Sequence, residues 1–267
     1  MQDAQPAERR QTDQMDPDRA RALQATLGQQ PTLQAGDVVP PFFHQVYFWD
    51  ARPPSDLGAD GHPAIGDAVI PDLGLPQRMW AGGALDFAAP LRLGEPAEKV
   101  TMCEAVQEKT GSSGRLAFVT LRHDFRQADR VCVTERQTLV YREDGPIAAR
   151  VPKPAGREPT RHVRVVPDAT LLFRYSALTF NGHRIHYDPE FARGPGGYAG
   201  LVVHGPLLAQ WLVTLAQESL GPLARFEFRA VSPLILGEAA RVCADEEGFW
   251  VEAEDGRLCM TASAEPQ

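Results

Sequence analysis

The chain has 267 residues, 43% of them hydrophobic and 23% charged, enough for one large domain or two small ones that fold without staples. Its formal charge of −8, with no block of Lys or Arg, excludes nucleic acid as the expected partner. No apolar run approaches the ~20 residues of a membrane span, no h-region follows Arg9 and Arg10, and Cys103, Cys132, Cys243 and Cys259 lack metal or CxxC spacing, so a reduced, cytoplasmic chain off the membrane is expected.

Residues 1–16 are polar and without pattern, and a disordered tail is expected there. Over 17–28, Ala20, Leu23 and Leu27 make a helical face, with Asp16 as N-cap, Pro17 as first residue and Gly28 as stop. An aromatic-rich stretch (40–49) precedes a Pro/Gly-rich loop (52–75) that contains Leu57-Gly58-Ala59-Asp60-Gly61-His62-Pro63. Strands are predicted at 79–87, 97–108, 116–124 and 131–141. The run 144–159 reads as a linker, so the units are drawn at 17–145 and 161–267 with 146–160 between them.

Beyond the linker, 162–166 predicts a strand and 170–179 a helix, followed by a Gly- and His-rich loop over 181–200. The strongest helix is 201–220, where Leu207, Leu208, Trp211, Leu212 and Leu215 form one broad apolar face. Strands at 224–231, 239–245 and 248–264 close the chain. Pro90-Leu91-Arg92-Leu93-Gly94-Glu95-Pro96-Ala97 recurs as Pro233-Leu234-Ile235-Leu236-Gly237-Glu238-Ala239-Ala240, six matches in eight at an offset of 143. The flanks match too, which reads as a duplicated unit in which only the second copy keeps a long helix.

Chemistry concentrates in Tyr175-Ser176-Ala177-Leu178-Thr179-Phe180-Asn181-Gly182-His183-Arg184-Ile185-His186-Tyr187-Asp188-Pro189, followed by Val202-Val203-His204-Gly205-Pro206. A histidine is the side chain most easily poised as a base near neutrality. An amide such as Asn181 can hold a water, and a glycine N–H at a helix start can meet negative charge developing on an oxygen. The residue types therefore suit addition of water to, or its loss from, a bond conjugated to a carbonyl. His183 either holds the loop or touches substrate, and His204 reads first as a residue at the helix start. Metal binding by His183 and His186 is the weak alternative, because no carboxylate or third histidine stands at fixed spacing.

These stretches resemble the signature of the MaoC-like hot-dog hydratases and dehydratases, Gly/Ser-Asp-x-Asn-Pro-Leu-His-x-Asp-Pro followed by Val-His-Gly. His186, Asp188, Pro189, His204 and Gly205 match. The family's catalytic Asp falls on Asn181, its Asn on His183 and its Pro on Arg184. The Asn departure and the surrounding run resemble the branch holding the mesaconyl-CoA (3-methylfumaryl-CoA) hydratases and the 3-hydroxyacyl-thioester dehydratases. Tyr47-Phe48, the 57–63 run and Arg78-Met79-Trp80-Ala81-Gly82-Gly83 fit that branch as well. The resemblance implies an α+β double hot dog: two curled antiparallel sheets, each associated with a helix. It also implies His186 as base, Asn181 as its partner, the Gly205 N–H as oxyanion donor and an acyl-CoA substrate, with no metal or other cofactor.

An amide cannot be a general base, so His186 carries the proton alone. Arg184, in an extended loop, would point the same way as His186 and pair with a substrate carboxylate, which favours a branched dicarboxylic acyl group such as 3-methylfumaryl. Its alternatives are a salt bridge within the loop or a CoA phosphate. Tyr175, His183, His204 and Trp80 join Arg184 as expected substrate contacts. Two other classes stay open at this point: a fatty-acyl-type dehydratase, and an acyl-thioester-binding hot dog without catalysis. A metal hydrolase stands behind both. Association into a homo-oligomer is an open expectation.

Overall fold

The computed structural model describes residues 7–64, 66, 69–111, 114–143 and 152–267. In chain order, the first half holds β1 (Glu8–Asp13), α1 (Pro17–Thr26), β2 (Gln77–Phe87), β3 (Ala97–Gly111), β4 (Gly114–Gln127) and β5 (Arg130–Arg142). The second half holds β6 (Arg161–Val165), α2 (Ala169–Leu178), α3 (Pro189–Arg193), α4 (Gly205–Leu220), β7 (Leu223–Ala230), β8 (Ala240–Asp245), β9 (Gly248–Ala253) and β10 (Leu258–Pro266). The strands form one antiparallel sheet in the order β1-β3-β4-β5-β2-β7-β10-β9-β8-β6. From the centre outward, strands of the two halves mirror each other: β2 with β7, β5 with β10, β4 with β9, β3 with β8 and β1 with β6. The fold is a double hot dog. The two sheets expected from the sequence are joined into one, because Gly82–Asp86 of β2 pair with Arg225–Arg229 of β7.

The duplication begins earlier than the sequence suggested. Glu8–Asp13 pair with Ala97–Met102 of β3, so this part of the expected tail is an edge strand of the first unit. It carries no apolar residue. Its ladder is reinforced by the Arg10–Glu98 ion pair and by Gln11 Nε2 donating to the Phe48 carbonyl at 2.9 Å, a kind of support that hydrophobic patterning does not register. Residues 1–6, and the linker over 144–151, lie outside the described residues. The strand expected at 248–264 breaks into β9 and β10 at Asp255-Gly256, where Gly256 takes a φ of +81° and Asp255 Oδ1 accepts from the Arg257 N–H at 3.0 Å.

Two repeated helices follow the edge strands. α1 is capped by the Asp16 side chain on Asp18 N–H, and α2 by Asp168 on Leu171 N–H; the two helices pack together. The central helix α4 buries Leu207, Leu208, Leu212 and Leu215 in one core with Phe226, Val242, Val251 and Met260 from the strands of the second half. Each such leucine contributes about 1.5–3 kcal/mol on burial. Among the described residues no helix is long and apolar enough to cross a membrane.

The repeated Pro-Leu-x-Leu-Gly-Glu segments occupy equivalent places. Val39 N–H bonds Leu91 O and Leu93 N–H bonds Asp37 O; Val203 N–H bonds Leu234 O and Leu236 N–H bonds Leu201 O, all at 2.8–2.9 Å. Val38-Val39-Pro40-Pro41 of the first half therefore corresponds to Val202-Val203-His204-Gly205 of the second. After it the first half makes only a single 3-10 turn, Phe43–Val46, where the second half makes α4. The reduced volume leaves a 440 Å³ cavity lined by residues that include Pro41, Phe42, Leu91, Val133 and Leu223.

Candidate active site

His186 sits on a short 3-10 turn, Arg184–His186, between α2 and α3. Its Nδ1 lies 2.7 Å from the Val202 carbonyl oxygen, which only accepts, so Nδ1 carries the hydrogen and Nε2 the lone pair. The ring is buried and stacks on His204, with 3.7 Å between centroids. Burial pushes its pKa down to about 3, against the bond to Val202 that pulls it up, so His186 is neutral at physiological pH. His204 is fully buried, its Nε2 2.8 Å from Ser176 Oγ, and burial together with its histidine neighbours keeps it neutral.

His204 is also the N-cap of α4. Its carbonyl takes the N–H groups of Leu207 and Leu208 at 3.0 and 3.2 Å, and Pro206 has none to give. The Gly205 N–H is therefore the donor of this first turn left without a partner among the described residues, at the positive end of the helix dipole. Trp80 rests against Gly205: a Cβ there would stand 2.7 Å from Trp80 Cε3. The Trp80 ring in turn stacks on Phe228 with 4.9 Å between centroids.

The loop of the first half that holds Asp60 and His62 docks onto the loop carrying Asn181. The contact is so close that a Cβ on Gly61 would run into the Gly182 carbonyl, which requires glycine at that point. Asn181 Oδ1 accepts from the His183 backbone N–H at 3.0 Å, which fixes the orientation of the amide, and the same oxygen faces His62 Nε2 at 3.2 Å. His62 therefore donates from Nε2. The water-accepting side expected of Asn181 is thus already occupied, and Nδ2 is its remaining hydrogen-bonding group. His62 and His183 lie 4.3 Å apart between ring centroids, and His183 and His186 5.5 Å. Burial lowers the His62 pKa to about 3, and lowers that of His183 in the same direction.

Arg184 does not take the place expected of it. The backbone at 184–186 is a 3-10 turn rather than extended, so alternation does not aim Arg184 with His186. Its Nη2 meets Asp188 Oδ2 at 2.7 Å, its Nη1 donates to the Ala59 carbonyl at 3.0 Å, and its N–H donates to the Asp60 carbonyl at 2.8 Å. Arg184 is a clamp holding the 57–63 loop on the loop that carries His186. Asp188 also caps α3 through the Glu190 and Phe191 N–H groups. Tyr175 is buried against His204 at 5.0 Å between centroids, and its hydroxyl has no partner among the described residues.

Two residues of this cluster, His62 and Arg78, were not singled out from the sequence, although each lies in a run that was. Nothing at sequence spacing links His62 to Asn181, 119 positions away. Asp60, His62 and His183 also bring ligand atoms within 4.8 Å of one another, a donor set that a metal ion can use. The Arg78 guanidinium, whose charge disfavours protonation of both histidines, opposes a cation at the same place.

A family model described as hydroxyacyl-thioester dehydratase type 2 matches residues 42–236. The chain is 42% identical over 240 residues to a mesaconyl-C(4)-CoA hydratase of Chloroflexus aurantiacus, covering 86% of this chain and 85% of that protein. It is 28% identical over 245 residues to the mitochondrial hydroxyacyl-thioester dehydratase type 2 of Schizosaccharomyces pombe, covering 79% and 80%. Among solved structures, a MaoC-like dehydratase from Phytophthora capsici matches 98% of the chain and 96% of its own, with a TM-score of 0.72 at 13% identity. A Mycobacterium tuberculosis protein with a double hot-dog fold matches 98% and 95%, with a TM-score of 0.61 at 15% identity.

Proposed function

Because the chain belongs to the hydroxyacyl-thioester dehydratase type 2 family, we propose that this hydro-lyase adds water reversibly to an α,β-unsaturated acyl-CoA, with 3-methylfumaryl-CoA or a related branched dicarboxylic ester as its substrate. The observation that carries the reaction type is the pairing of one neutral, oriented histidine with one unpartnered N–H at the start of α4. The substrate class is supported by the relative at 42% identity.

His186 Nε2 takes a proton from water, and the oxygen adds to the β-carbon. Charge moves to the thioester oxygen, where the Gly205 N–H and the helix terminus stabilise it. The proton held on His186 then reaches the α-carbon, and the base is restored. Asn181 positions the water through its Nδ2–H, since its oxygen is held by His183 and His62. A base with so low a resting pKa becomes competent because the enolate forms beside it: imidazolium and oxyanion arise together in a dry site and stabilise each other. CoA serves as the handle of the substrate, and every proton movement is carried by this chain's own groups.

The test is the loss of absorbance at the enoyl-thioester band across 3-methylfumaryl-, itaconyl-, crotonyl- and long-chain enoyl-CoA. Fastest turnover of the branched dicarboxylic esters is expected. Preference for long apolar chains would move the protein to the fatty-acyl dehydratases, and binding without turnover of any ester would sink the catalytic reading.

A further inference from the structure

Arg184 being committed to Asp188, a different group must meet the free carboxylate of a dicarboxylic substrate. We infer that Arg78, flanked by His62 and His183, forms the subsite that receives this carboxylate and so sets the acyl specificity. The inference rests on the hydratase reading for its substrate, and on the geometry around Arg78 for its position.

Arg78 lies half-buried on β2, and its side chain has no hydrogen bond or ion pair among the described residues. A guanidinium without a counter-ion is open to a bound carboxylate, with which it forms a charge-assisted pair. The two nearby imidazoles are held uncharged by burial, and both feel the Arg78 charge. Asp60 is the acidic member of the cluster, but its Oδ1 already accepts the His62 backbone N–H at 3.0 Å and its Oδ2 lies 3.7 Å from His62 Nδ1. The His62 Nδ1 is buried and has no hydrogen-bond partner among the described residues.

The placement suits a short diacid. Arg78 and Trp80 point to the same face of β2, two residues apart, which is about 6.6 Å along the strand. Trp80 abuts Gly205, the end of the site that receives the thioester oxygen. Arg78 thus lies on the face of β2 that carries the indole beside the oxyanion donor, within the field of the histidine cluster. Like Arg126, Lys99 is a further half-buried cation without a side-chain hydrogen bond among the described residues. It lies over the Phe125 ring, and burial pushes its pKa down against the attraction of Glu135 and Asp50.

The experiment is equilibrium binding, by calorimetry, of two saturated esters that cannot be hydrated: succinyl-CoA, and butyryl-CoA of the same chain length without the carboxylate. The wild-type chain is expected to prefer succinyl-CoA by roughly 10- to 100-fold, the worth of one charge-assisted pair. Arg78→Gln is expected to erase that preference while leaving butyryl-CoA within about threefold of wild type. Arg78→Lys, which keeps the charge and guards against a folding artefact, is expected to retain an intermediate preference.

The subsite assignment is overturned by a wild-type chain that shows no preference, or by a preference that survives in Arg78→Gln. It is overturned equally if Lys99→Gln abolishes the preference in place of Arg78→Gln. Equal weakening of both esters in Arg78→Gln would assign Arg78 to a CoA phosphate and also overturn it. Because neither ester reacts, the outcome is independent of turnover. Inactivity toward enoyl esters with an intact succinyl-CoA preference would refute the hydratase reading alone.

Discussion

Replacing Gly205 by alanine tests the oxyanion assignment through its steric neighbour. The new Cβ would lie 2.7 Å from Trp80 Cε3 and 2.9 Å from Cζ3, whereas carbon atoms pack at about 3.5 Å or more. Roughly 0.8 Å of movement is therefore forced on the indole or on the start of α4. The indole has a buried ring, Phe228, stacked against it rather than solvent. Overpacking of this kind costs about 1–3 kcal/mol, against at most about 1 kcal/mol gained from alanine's helix propensity. A net loss of stability is expected in urea unfolding. The kinetic effect is larger. Displacing an oxyanion donor by nearly an ångström is expected to lower kcat about 10²- to 10³-fold, measured as initial loss of enoyl-thioester absorbance. Trp80→Leu should relieve the clash, so the double variant is expected to recover stability with a coupling of about 0.5–3 kcal/mol. A folded Gly205→Ala protein with unaltered kcat would refute both the donor role and the reading of Trp80 as the wall behind it.

Other outcomes follow from the same geometry. His186→Gln is expected to cut kcat about 10²- to 10⁴-fold while succinyl-CoA binding persists; retained hydration would remove His186 as the base. His123, His186 and His204 are buried and held neutral, with burial lowering the pKa of each, to about 3 for His123 and His186. Their unfolded forms gain protons below about pH 6.5, so stability should fall as pH drops from there, by about 1 kcal/mol per pH unit per histidine. Denaturation midpoints that stay flat between pH 7 and 5 would contradict this. Arg184→Ala is expected to lower the melting temperature by releasing the 57–63 loop, with the ratio of succinyl-CoA to butyryl-CoA affinity unchanged; a lost ratio would restore Arg184 to the carboxylate. Deleting residues 1–13 is expected to expose the β3 edge and promote association, visible by light scattering, whereas a true tail would be removed without effect.

How far the sequence could be read depended on whether a feature was local. The Asp16-Pro17 start of α1, the apolar face of α4 and the turn chemistry of Asp188-Pro189 are each set by a few adjacent residues, and each was legible. β1 was not, because its stability comes from a ladder to β3 and surface charges that leave no apolar period. His62 and Arg78 were quoted only inside the 57–63 and 78–83 runs, and their chemistry exists only once two loops and a strand from different halves converge. For Arg184 the structure shows the loop salt bridge that the sequence left as an alternative, because pointing it with His186 assumes extended backbone and the chain turns at that point.

The asymmetry of the two halves explains why one chain carries one site. By the hydrogen-bond correspondence, Pro40 and Pro41 stand where His204 and Gly205 stand in the second half. A proline has no N–H, so the first half cannot offer an oxyanion donor at the equivalent point. It also lacks the long helix whose dipole would support one, having only the turn Phe43–Val46. Freed from that duty, the first half contributes from its other elements. Its 57–63 loop brings His62 to Asn181, and β2 brings Trp80 to Gly205 and Arg78 to the histidine cluster. On the proposed reading, the second half carries the base and the first half reads the substrate. That proposal expects an exchange of acyl specificity to need changes in the first half, and a change of reaction type to need changes in the second.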